Sequence, residues 1–151
     1  MRRAALLIAL LALSLGAGPL LGAGCSISTA GPIAFGTYDV FATGPLDTTG
    51  SISYSCTQPV QDPVLSISAG GSGTFAPRRL AGGAYALGYN LYLDASHTQL
   101  WGDGTGGTYT HTGGSPADSQ TYTVTIFGRI PAGQNVAAGS YSDTLTVTMD
   151  F

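Results

Sequence analysis

From residue 27 onward, apolar positions recur with a period of two between Gly, Pro, Asn and Asp breakers, which is a strand pattern. Residues 51–56 put Ile52, Tyr54 and Cys56 on one face. Residues 64–69 set Leu65 and Ile67 against Val64 and Ser66. Residues 85–93, with Tyr85, Leu87, Tyr89, Leu91 and Leu93 in phase, form the best central strand, and residues 122–128 align Tyr122, Val124 and Ile126. Residues 27–41 read as a less regular strand carrying Ile27, Ile33, Phe35 and Tyr38, and residues 100–101 as a short strand end. Residues 44–50, 58–63, 94–97, 102–107 and 131–139 are turns and links, 70–83 is mostly loop, and 109–118 is a polar connection. No stretch past the leader sustains a helical stripe. Seven or so short strands at turn-marked intervals predict an all-β sandwich.

The chain closes on a further alternating run. Leu145, Val147, Met149 and Phe151 share one face; Thr144, Thr146, Thr148 and Asp150 share the other. No turn or partner strand follows, yet a half-buried strand needs a neighbour on each side. If its sheet is one strand short, another polypeptide must supply the missing one.

Residues 1–24 read as a secretory signal peptide outside the fold. Arg2 and Arg3 form the basic region, 4–15 is almost wholly apolar, and 16–24 is rich in small residues, with a cleavage site at Gly22-Ala23-Gly24. The apolar run is too short for a confident membrane span. A lipoprotein signal competes, because Cys25 follows Leu-Gly-Ala-Gly, but Gly22 stands where such a signal needs an aliphatic residue. Residues 25–151 then suffice for one domain with a real core.

Charge narrows the functional classes. All eight acidic residues are aspartates of that domain, opposed there only by Arg78, Arg79 and Arg129, with no Lys or Glu anywhere. This balance argues against nucleic acid and against an anionic membrane surface. The two cysteines, Cys25 and Cys56, most simply form one disulfide in an exported chain, worth roughly 3–4 kcal/mol in the entropic account. A lipidated Cys25 would leave Cys56 an unpaired thiol in an oxidising compartment.

Candidate chemistry is sparse. Two cysteines cannot make the usual structural zinc site, and no metal or cofactor is expected. His97 and His111 read as surface histidines. Asp103-Gly104-Thr105-Gly106-Gly107 lacks the spaced carboxylates of a calcium loop and reads as a sharp turn in which Asp103 accepts backbone N–H bonds. No nucleophile-elbow sequence is present, so the chain is not expected to be an enzyme. Arg78, Arg79, Trp101 and Asp103 are candidates for a polar contact or binding loop. Their ordinary roles would be pairing with aspartates for the arginines and core or edge packing for Trp101.

Several segments in order carry a resemblance. Phe35-Gly36-Thr37-Tyr38 follows the first cysteine, and residues 51–56 lead into the second. Arg78-Arg79-Leu80 precedes residues 87–94, and Trp101-Gly102-Asp103-Gly104-Thr105-Gly106 follows. Residues 123–131 and 139–147 complete the set. Residues 25–151 thereby resemble the spore coat protein U domain family, which includes secreted pilins of the archaic chaperone–usher class. The resemblance implies an immunoglobulin-like β-sandwich lacking its last strand. It implies three kinds of partner: a periplasmic chaperone that fills the gap, an outer-membrane usher, and other pilin subunits, one of which replaces the chaperone by donating a strand. It also implies a Cys25–Cys56 disulfide and a groove bordered by residues 144–151, with Leu145, Val147, Met149 and Phe151 contacting the donor or chaperone.

A surface receptor or glycan, adhesion, biofilm formation and an extracellular or cell-surface location follow from the same resemblance. One departure stands out: no alternating donor segment lies between the leader and Cys25, so the subunit is expected to accept a strand without giving one and to sit at a pilus tip. The alternative is a self-complete secreted β-sandwich acting as a coat or glycan-binding protein.

Overall fold

The computed structural model describes residues 3–8, 24–57, 62–113 and 120–151. These contain β1 (Arg3–Ile8), β2 (Cys25–Ala30), β3 (Leu46–Cys56), β4 (Val64–Ile67), β5 (Arg78–Gly82), β6 (Tyr85–Tyr92), β7 (His111–Thr112), β8 (Thr121–Ile130) and β9 (Leu145–Asp150), with one 3-10 turn at Gly70–Ser72. Two sheets form, one ordered β1-β9-β4-β7 and the other β2-β3-β8-β6-β5. Every strand pair is antiparallel.

The inward faces of both sheets meet in one core. Ile52 and Tyr54 of β3, Val124, Ile126 and Ile130 of β8 and Leu87, Tyr89 and Leu91 of β6 come from the larger sheet; Leu65, Ile67, Leu145, Val147 and Met149 come from the smaller. The two-residue period explains this set, because each named strand turns alternate side chains to one side. Thr and Ser occupy many of the outward positions and favour extended backbone without adding charge.

Three segments depart from the sequence expectation. Residues 27–41 are not one strand: β2 ends at Ala30, where Gly31-Pro32 interrupts the ladder, since proline has no N–H to give. The following segment crosses the larger sheet, where Phe35 meets the Tyr89 ring edge-on at 5.8 Å. Residues 44–50 are not a link, for β3 starts at Leu46 and pairs with β8 from Leu46↔Ile130 to Ser55↔Thr121. Turn-like composition hid this strand. Gly50 sits in it because a Cβ there would lie 2.7 Å from Ile33 Cγ1. Within the presumed loop 70–83, β5 pairs with β6. The residues 58–61 of one expected turn and 114–119 of the polar connection lie outside the described residues.

The segment around Trp101 ties the two sheets together. Trp101 N–H donates to Leu91 O of β6 at 2.9 Å, while Ile67 N–H of β4 donates to Gly102 O at 3.0 Å. The indole Nε1 donates to Leu65 O at 3.2 Å.

Cys25 and Cys56 are opposite one another in the β2–β3 register and form a disulfide, which engages the thiol that lipid attachment would need. The bridge closes a sequence separation of 31 residues. Replacing both cysteines by serine should cost about 3 kcal/mol in urea unfolding, against a smaller change for outward Ser26→Ala. A double variant as stable as the parent would show that the β2–β3 ladder needs no crosslink.

Candidate functional site: the β9 edge and its surroundings

β9 is built by strict alternation. Leu145, Val147 and Met149 are buried, Val147 and Met149 at 0 % exposure, while Thr146, Thr148 and Asp150 lie half-buried on the other side. Phe151 packs against the core from the chain end. One edge of β9 pairs with β4, from Val64↔Asp150 to Ile67↔Val147. Ser68 extends that ladder: its N–H donates to Thr146 O, and Thr146 N–H donates to Ser68 Oγ, both at 2.9 Å.

The other edge of β9 is where the terminal strand was expected to lack a neighbour. It carries β1, in the register Arg3↔Asp150 through Ile8↔Leu145. β1 also approaches β2, the outer strand of the larger sheet. Residues 3–8, in the segment read as a signal peptide outside the fold, thus form a strand beside β9. No period-two signal marks residues 3–8, where Arg3 is followed by an unbroken apolar run; only the need of β9 for a second neighbour hinted at a missing strand.

Entry into β9 is fixed by Asp143, a residue that no motif or spacing singles out. Its carboxylate accepts from Gly71 N–H at 2.8 Å, Tyr89 Oη–H at 2.7 Å and Thr144 N–H at 2.8 Å. Burial and this carboxylate push the Tyr89 hydroxyl well above the usual phenol range. A Cβ on Gly70 would collide with the same carboxylate, and Gly70 has φ +74°. Gly70→Ala should therefore lower the thermal midpoint by several degrees, whereas Gly73→Ala, with φ +68° and open space around it, should cost only the backbone strain. Equal shifts for the two would refute the role given to Asp143.

The polar candidates separate. Arg78 and Trp101 are both fully buried, so neither offers surface to a partner. Among the described residues, Arg78 is not paired to an aspartate. Its Nε donates to Ser68 O at 3.0 Å and its Nη2 to Trp101 O at 2.7 Å, so it joins β5 to the end of β4 and to the Trp101 segment. Its Cζ lies 5.0 Å from the Phe75 ring centroid, and Nη1 finds no hydrogen-bond partner among the described residues. Burial pulls the guanidinium below its ordinary pKa. Arg79 is exposed on the same strand. Asp103 is exposed and closes its turn as expected, accepting from Thr105 N–H at 2.9 Å and Thr105 Oγ1–H at 2.6 Å, which holds its carboxyl below the usual range.

Elsewhere the charges pair locally. Arg129 Nε and Nη2 each donate to Asp47 at 2.7 Å, a bidentate contact between β8 and β3. His97 is not a plain surface histidine: its ring sits edge-on to Tyr92 at 5.0 Å, with Nε2 3.9 Å from Asp47. The Arg129 bond holds Asp47 below its ordinary value of 3.8. A depressed carboxyl stabilises the fold above its unfolded pKa and loses that stability as pH falls through the folded one. The thermal midpoint should accordingly drop as pH is lowered below about 4, and Asp47→Asn should flatten that slope; a variant with the parent's slope would exclude this pair as a contributor.

Large exposed apolar side chains are Phe41, Tyr85 and Tyr109, with Phe41 89 % exposed at the turn after Asp39. A shallow groove of about 340 Å³ runs between the β5–β6 turn and residues 137–141, with Tyr85 and Tyr141 among its lining. Among the described residues, no three or more His, Cys, Asp or Glu side chains are grouped to hold a metal ion. Nor is any described helix long and apolar enough to cross a membrane.

The profile of the Spore Coat Protein U domain matches residues 11–148. The chain belongs to that family. Protein U of Myxococcus xanthus is 34 % identical over 148 residues, covering 87 % of this chain and 79 % of the relative. A solved structure with the same fold is that of the CsuC–CsuE chaperone–tip adhesion subunit pre-assembly complex from the archaic chaperone–usher Csu pili of Acinetobacter baumannii. The TM-score is 0.56 at 21 % identity, covering 85 % of this chain but 40 % of the matched one. The Spore Coat Protein U domain described here thus shares its all-β fold with that solved chain.

Proposed function

We propose that this Spore Coat Protein U domain is an exported structural subunit of a chaperone–usher pilus or surface coat, assembled through the edge of β9. The observation that carries the reading is the pairing of that edge with residues 3–8, inside the segment read as a signal peptide. Removal of the leader before Cys25 takes β1 away and leaves β9 with β4 alone. Its backbone groups then need an extended segment from another chain. Leu145, Val147, Met149 and Phe151 form the apolar face that such a complementing strand helps to cover.

A periplasmic chaperone supplies the strand first and a neighbouring subunit afterwards, with an outer-membrane usher between the two steps. Cleavage at that point also leaves no donor stretch ahead of β2, which favours a terminal, tip position with a role in adhesion and biofilm formation. Nothing in this reading calls for catalysis: the side chains gathered here brace a fold.

The test is periplasmic co-expression with the chaperone of the same gene cluster, followed by size-exclusion chromatography and mass measurement. A stable 1:1 complex, with the subunit aggregating when made alone, is expected. A soluble monomer that unfolds in two states and ignores the chaperone would overturn the proposal. It would favour a self-complete coat or glycan-binding protein, for which the family's description as a coat domain and the Tyr85–Tyr141 groove are the supporting observations.

A further inference from the structure

Two features of β1 go beyond the need for a partner strand. β1 pairs with β9 along its entire length, six residues on six, from Leu145 to Asp150. It also lies near β2, the outer strand of the larger sheet, so it is placed beside an edge of each sheet. An antiparallel pair saturates alternate N–H and C=O groups of both strands, so β1 takes the positions that any incoming strand would need. The occupant is covalently attached. Its pairing is intramolecular, so an untethered competitor must exceed its effective concentration at the edge.

We propose that residues 3–8 act as a cis-acting placeholder strand, and that removal of the leader is the event that makes the β9 edge competent to take a strand from another chain. This rests on the reading of β9 as an acceptor edge and adds a control to it: the uncleaved chain is closed to partners, and processing opens it. A single segment thereby serves as export signal and as an internal competitor for the assembly edge. Premature strand exchange, or edge-to-edge aggregation of unprocessed chains, is suppressed by the same contact.

The experiment uses the full chain, produced with its leader intact, beside Leu6→Pro and Leu7→Pro. Successive residues of a strand point their N–H groups to opposite sides, so one of these two prolines removes a donor from the β1–β9 ladder, and either strains the strand. The probe is a fluorescein-labelled peptide of residues 1–10, read by anisotropy, with hydrogen–deuterium exchange of the β9 amides alongside. The expected result is at least tenfold tighter peptide binding by one or both proline variants than by the parent, with β9 amides exchanging at least tenfold faster in them.

If parent and variants bind the peptide equally well, the placeholder falls while the acceptor edge stands. If none binds and β9 stays equally protected in all three, both the placeholder and the acceptor edge fall. Should the proline variants not fold, the parent decides alone: β9 amides exchanging as slowly as those of the central β3–β8 ladder support the placeholder, and exchange at the rate of unpaired edge amides overturns it.

Discussion

Trp101→Ala should lower the unfolding free energy by ~3–5 kcal/mol, as expected for emptying the site of a fully buried tryptophan. The indole is 0 % exposed and is the largest fully buried side chain among those described. Its loss removes more than packing. Leu65 O loses the indole N–H. The Arg78 Nη2 bond ends on the Trp101 carbonyl, so a shift of the backbone there also loosens a buried cation whose Nη1 has no hydrogen-bond partner among the described residues. With total stabilities of about 5–15 kcal/mol for domains of this kind, such a loss is a large fraction of the margin. Trp101 is the sole tryptophan, so unfolding should be followed by far-ultraviolet circular dichroism in denaturant. Trp101→Phe, which keeps an aromatic ring but not the N–H, should cost about 1–3 kcal/mol and remain folded. A Trp101→Ala variant within 1 kcal/mol of the parent would mean that the two sheets do not depend on this bridge.

The inward residues of β3, β4, β8 and β9 were legible because one face of each strand is buried and the other carries mostly Thr and Ser. A one-residue slip would reverse that pattern, so the period reports the register directly. Ile52, Tyr54, Leu65, Ile67, Val124 and Ile126 all lie in the core on the faces their spacing assigns. The start of β3 and the whole of β5 were not legible. Asp47-Thr48-Thr49-Gly50 has turn composition and becomes strand through partners far away in sequence: Arg129 on Asp47, and Ala34 O accepting from Thr48 Oγ1 at 2.8 Å. In β5 the inward residue is an arginine, a type that is rarely inside. The carbonyls of Ser68 and Trp101 and the Phe75 ring, brought together by tertiary structure, make that burial tolerable.

The candidate site divides in the same way. Its apolar face could be read from Leu145, Val147, Met149 and Phe151, since alternation is a local property. What borders that face could not. β1 contributes backbone to the edge, and the unbroken apolar run that follows Arg3 carries no period that would announce a strand. Asp143 anchors the entry to β9 through three donors from three places in the chain, a convergence that no spacing of residues encodes.

Val147→Asp should abolish recovery of a folded subunit and of its complex with the chaperone, the largest effect expected at the candidate site. Val147 is 0 % exposed at the middle of β9, opposite Ile67 of β4 and in register with Leu6 of β1. A carboxylate there must be desolvated with no cation to meet it, or take up a proton and still lose its hydrogen bonds to water. Either route costs several kcal/mol, of the order of the whole stability. Thr148→Asp is the control one residue along, on the outward half-exposed side, where a charge keeps its water; it should change the yield of complex less than twofold. Phe151→Asp should fall between the two, because Phe151 is only partly buried at the chain end. The measurement is the amount of 1:1 complex recovered from the periplasm for each variant. Equal yields for Val147→Asp and Thr148→Asp would show that the alternation of β9 does not set the buried side of the assembly edge, and the proposed strand exchange would lose its physical basis.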